Sequence, residues 1–107
     1  MDDVIAEIAA ERRRQVEQEG WTAEHDDSHD GGELALAAAA YAYAATLTDE
    51  YRRYVSGSFS IRNNELLRSL WPSSWTGWWK PKTRRRDLIR SAALIVAEIE
   101  RLDRAAS

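Results

Sequence analysis

The chain has 107 residues, 44 % apolar and 31 % charged, with a formal net charge of −3, proportions of a soluble globular protein read as one helical domain over residues 1–107. The absence of cysteine excludes disulfides, thiolate catalysis and cysteine-ligated metals, and the acidic total disfavours duplex nucleic acid as a partner. No apolar run approaches the roughly 20 residues of a membrane span and no secretory pattern is present, so a cytoplasmic protein without a membrane partner is expected.

Residues 2–19 place Val4, Ile5, Ile8, Ala9 and Val16 on a broken helical face among strong helix formers, and Gly20 is a natural stop. Trp21–Gly32 reads as a polar loop. Asp30 is suited to cap a second helix from about Gly32 to Ala45, with Glu33 at its third helical position. That helix resumes after Thr48 through Val55, and Ser56-Gly57-Ser58 breaks it. A short helix around Asn63–Leu70 leads into an aromatic loop, Trp71–Pro81. Thr83 caps the last helix, where Leu88, Ala92, Ile95, Ile99 and Leu102 recur at spacings of four, three, four and three. Ile89, Ala93 and Val96 widen this stripe, which is the expected core face. No strand-like alternation or internal repeat is evident. The fold class is therefore all-α, a small antiparallel bundle with a Trp-rich loop before its last helix.

Two constellations carry chemistry. The run His25-Asp26-Asp27-Ser28-His29-Asp30-Gly31-Gly32-Glu33 clusters carboxylates that ionise together only if a cation or arginine sits among them. Asp30 and Glu33 could point the same way, with Asp87 facing them across the bundle as magnesium ligands. The other reading is that Asp30 and Glu33 cap a helix and offset its dipole. His25 and His29 have the spacing of paired helical ligands but sit in an apparent loop, where solvated or hydrogen-bonded histidines are the default.

The second constellation is Trp78, Trp79, Lys80, Lys82, Arg84, Arg85 and Arg86. It sets aromatic faces beside cations at a helix start, suiting a base on an indole and phosphates on Lys or Arg. Single-stranded nucleic acid would fit by the same stacking. Otherwise the tryptophans plug the end of the bundle, or form an oligomer interface. Cations in a first helical turn oppose the dipole, so three successive arginines point to an acidic neighbour or an anionic ligand. Glu11-Arg12-Arg13-Arg14-Gln15 on the first helix is read as surface ion pairing with Glu7, Glu17 and the acidic loop.

The order Glu11-Arg12-Arg13-Arg14-Gln15, Gly20-Trp21, His25-Asp26-Asp27, Gly32-Glu33-Leu34 and Arg86-Asp87-Leu88-Ile89-Arg90-Ser91-Ala92-Ala93 resembles short phage-type members of the MazG-like nucleotide pyrophosphohydrolases. The likeness covers residues 5–45 and 83–104. It implies an all-α, usually oligomeric protein that cleaves nucleoside triphosphates to monophosphate and pyrophosphate with magnesium. Carried over by position, the metal-binding and catalytic carboxylates are Asp30, Glu33 and Asp87, while Arg90 stands where the family has a fourth carboxylate. Trp78 or Trp79 would stack the base, and Lys80, Lys82, Arg84, Arg85 and Arg86 would neutralise phosphates. The alternative is a non-catalytic binding protein that sequesters a nucleotide signal or blocks a host defence protein directly.

Overall fold

The N-cap residues and one left-handed glycine place most element boundaries. In the computed structural model, which describes residues 2–75 and 77–107, α1 spans Asp2–Glu19 and ends at Gly20. The φ of +74° at Gly20 is disfavoured for any side chain with a β-carbon. Helices α2 (Ala23–Asp27), α3 (Glu33–Ala44), α4 (Asp49–Val55), α5 (Glu65–Leu70) and α6 (Arg84–Ala106) follow, with a 3₁₀ turn over Ser60–Asn63 before α5. The side chains of Thr22, Thr48, Asn64 and Thr83 accept from the backbone N–H of His25, Tyr51, Leu67 and Arg86. Each such cap is typically worth about 1 kcal/mol.

Two local expectations are corrected. The Trp21–Gly32 stretch holds α2, one short helix under the Thr22 cap. Asp30 does not cap α3: Gly32, at φ +87°, takes the cap position, and Glu33 is the first helical residue.

The antiparallel centre is the pair α3 and α6, with α1 and α2 against α6 and α5 against α3. Helix α3 buries Leu34, Ala37, Ala38, Ala40, Tyr41 and Ala44, and α6 buries Ile89, Ala93, Leu94 and Ala97. Alanines on both sides let the axes approach closely, and the buried Ser91 hydroxyl donates to the Ala38 carbonyl at 2.8 Å. The architecture is all-α, without a strand among the described residues.

The core face of α6 is not the stripe its periodicity suggests. Leu88, Ile95, Ile99 and Leu102 are 50, 48, 51 and 52 % exposed. The helix carries two apolar stripes, and the alanine surface of α3 receives the one with the smaller side chains.

Trp71, Trp75 and Trp79 are buried and close one end of the α3–α6 pair. Trp79 stacks on Tyr41 with centroids 4.7 Å apart, and Trp71 meets both edge-on. The indole N–H groups of Trp71 and Trp79 donate to the carbonyls of Trp75 and Val55 at 3.0 and 2.7 Å, the usual partnering of a buried indole, whereas the buried Trp75 N–H has no hydrogen-bond partner among the described residues.

Candidate functional site

The acidic run is held by cations from other elements. Asp26 is buried and accepts from Arg12 of α1 at 2.6 Å, while Asp27 pairs with Arg104 of α6 at 2.8 Å. The α2 turn brings the two histidines together, Nε2 to Nε2 at 3.2 Å. His25 Nδ1 lies 3.3 Å from Asp26, and His29 Nδ1 lies 3.4 Å from Glu33. Partial burial pushes the Glu33 carboxyl up, but bonds from its own N–H, from His29 and from the Gly31 N–H bring it below the ordinary value. Asp30 is exposed, its charge felt by Arg101.

Asp87 stands apart from Asp30 and Glu33 in its role. It is fully buried, with one oxygen 2.6 Å from Arg52 Nη2 and the other accepting from the Lys82 N–H at 2.8 Å. Arg52 also donates to the carbonyls of Ala44 and Lys82 at 2.7 and 3.0 Å. This pair ties the start of α6 to the end of α3 and to α4. Among the described residues, no group of three His, Asp or Glu side chains could hold one metal ion. With the oxygens of Asp87 bonded to Arg52 and to the Lys82 N–H, the residues as placed do not fit a magnesium centre built from Asp30, Glu33 and Asp87.

The basic segment divides in the same way. Arg84 pairs with Asp49, Arg85 clamps Glu7 through two bonds of 2.7 Å, and Arg86 pairs with Glu11. An acidic neighbour therefore meets each cation of the first turn of α6. Lys82 is exposed and contributes to the Asp87 anchor through its backbone. Trp79 is 1 % exposed and lies inside the core, so it offers no face to a base, whereas Trp78 is 42 % exposed. Trp78 leans on Trp75, Trp21 and His25 at 5.4, 6.4 and 6.4 Å between centroids.

The most distinctive cluster lies where α1 meets α6. Glu11 and Gln15, read as surface residues, are each only 1 % exposed. Glu11 accepts from Arg14 at 2.8 Å through both oxygens, from Gln15 at 3.2 Å and from Arg86, and Arg90 Nε lies 3.8 Å away. Burial pushes the Glu11 carboxyl up, but the Arg14 hydrogen bond and the charges of Arg14, Arg86 and Arg90 carry it below the ordinary value. The only sequence signal was the i,i+4 pair Glu11 and Gln15 with arginines between.

Beside this hub, Arg14, Gln15, Glu19, Trp21, Tyr41, Trp78, Lys80 and Arg90 line one small cavity. The buried Gln15 Oε1 and Arg90 Nε have no hydrogen-bond partner in the protein. Arg90 also donates to the Lys80 carbonyl and sits over the Tyr41 ring, 5.8 Å from its centroid. Arg14, Arg86 and Arg90 face Glu11, Arg14 also meets Glu19, and Lys80 lines the same cavity, so four cations stand beside two carboxylates, an excess of two positive charges. Such a cluster can take up an anion between planar guanidinium groups and an indole face.

No family model matches the chain, and no curated protein or solved structure matches it either. No helix among the described residues is long and apolar enough to cross a membrane.

Proposed function

We propose that this protein binds a nucleotide or a related phosphate compound at the Arg14–Arg86–Arg90–Lys80 cluster, with Trp78 against the base. The observation that carries the reading is that two residues lining one cavity, Arg90 and Gln15, each have a buried polar atom without a hydrogen bond, Nε and Oε1, the Arg90 Nε lying 3.8 Å from Glu11. A buried polar group without a partner costs about 1–3 kcal/mol. A phosphate oxygen would accept from Arg90, and a ligand hydroxyl would donate to Gln15. The cavity is about 10 Å³, room for about one water molecule. A phosphate therefore enters only as Trp78 swings outward, which its exposure permits. Recognition rests on arginine and lysine, so it is independent of a divalent ion.

The resemblance to the MazG-like pyrophosphohydrolases supports a nucleotide as the ligand, and Arg90, the departure from their carboxylate set, becomes an anion-binding group here. Calorimetry with a panel of nucleoside triphosphates in chelator tests the reading. Binding of at least one nucleotide is expected to persist. No heat from any of them contradicts binding. Magnesium-dependent pyrophosphate release would replace this reading with the hydrolase.

A further inference from the structure

The phosphate cluster makes no use of the histidine pair in the acidic run. Helix α2 gives these residues the face-sharing that a loop would deny them. The N–H groups of Ser28 and His29 donate to the carbonyls of His25 and Asp26 at 3.2 and 3.0 Å, carrying the turn on to His29, and positions four apart in a helical turn share one face. The two Nε2 atoms lie 3.2 Å apart, while each Nδ1 turns to a carboxylate, Asp26 for His25 and Glu33 for His29. Asp26 is ionised against Arg12, and Glu33 is held below the ordinary carboxyl range. An ionised carboxylate only accepts, so each Nδ1 carries the ring hydrogen. Both Nε2 atoms are then bare lone pairs turned toward one another, a repulsive contact unless a cation stands between them.

We propose that His25 and His29 bind a divalent transition ion of the zinc class, with the two Nε2 atoms as ligands and water in the remaining positions. Zinc–nitrogen bonds of about 2.0–2.1 Å set two nitrogens 3.2 Å apart at an angle of about 100° around the ion, close to tetrahedral. A shared proton suits the pair less well. The separation is the long limit of an ordinary hydrogen bond, and centroids 4.5 Å apart with ring planes at 69° set the nitrogens at an angle rather than head-on. A carboxylate behind each imidazole fixes the tautomer and raises the basicity of a metal-binding histidine. Trp21 stacks on His25 with centroids 5.7 Å apart, and Trp75 meets His29 edge-on at 5.3 Å, so both rings are also held by packing. Glu33 pairs with no arginine or lysine among the described residues, which leaves negative charge beside the pair. Both imidazoles are partly exposed, so water reaches the ion. The chain supplies these two ligands and, among the described residues, no third carboxylate or imidazole.

Calorimetry of the full chain with Zn²⁺, without nucleotide, tests the inference, and its outcome is independent of the phosphate site. One ion per chain should bind, and excess Mg²⁺, which prefers oxygen ligands, should not displace it. His25→Gln and His29→Gln should each abolish saturable binding with circular dichroism unchanged. Glu33→Gln should weaken binding about 10- to 100-fold, as loss of a group behind a ligand does. Asp30→Asn, which removes an exposed carboxylate of the same run, should bind as the unaltered chain does. Long-range ¹H–¹⁵N spectra of the unaltered chain give a readout that needs no variant: the Nε2 resonances of both histidines should shift on zinc addition. No zinc binding, unchanged affinity in either histidine variant, a loss in Asp30→Asn as large as theirs, or zinc bound without a shift of both Nε2 resonances would overturn the site.

Discussion

Glu11 and Asp87 are carboxylates removed from water, and each is gripped by arginine from another helix. Removing one partner of such a pair leaves the other charge uncompensated, at about 3–5 kcal/mol. Asp87→Asn and Arg52→Ala should therefore each lower unfolding free energy by about that amount in urea. The Asp87→Leu, Arg52→Met double variant should lose less than the sum. Near-unchanged stability in Asp87→Asn would remove the anchoring role. Glu11 gives a pH signature. Its folded-state pKa lies below the ordinary 4.5, so the unfolded chain binds the proton more tightly and stability rises with pH across that interval. The Glu11 contribution is complete above the unfolded value and is lost as pH falls through the folded one. Glu11→Gln should be less stable than the unaltered chain at neutral pH and should converge with it in acid, followed by thermal unfolding across pH. A constant gap between the two chains would contradict this.

At the scale of elements, the two neighbouring tryptophans of the aromatic loop separate cleanly. Trp79→Ala should cost about 3–5 kcal/mol, as deletion of a buried aromatic side chain does, whereas Trp78→Ala should stay within about 1 kcal/mol. Denaturant midpoints of the two variants check this, and a Trp78→Ala loss as large as that of Trp79→Ala would place Trp78 in the core. The sequence does not distinguish these adjacent indoles, because their difference arises from Tyr41 and Val55, far away in the chain. Boundaries were legible where the signal is local: Thr83 caps α6, Gly20 stops α1, and α4 starts directly after Thr48. The inward face of α6 was not legible, because periodicity finds both apolar stripes and only α3 selects between them. The Arg52–Asp87 tie and the buried Glu11–Gln15 pair were equally hidden, since burial of charge depends on partners contributed by other helices.

Across the whole molecule, the net charge of −3 hides a local reversal. Acidic residues are engaged by arginines around the bundle, while an excess of cations gathers where α1, the aromatic loop and α6 meet. That concentration, beside an exposed indole and two buried polar atoms without a hydrogen bond, is what supports the proposed phosphate site. The most direct measurement is the affinity of one nucleoside triphosphate for the unaltered chain and for Arg90→Gln, side by side in chelator. Loss of a charge-assisted hydrogen bond of about 1.5–3 kcal/mol predicts roughly 10- to 100-fold weaker binding by the variant, with the circular dichroism spectrum unchanged. Equal affinities for the two chains would contradict the account.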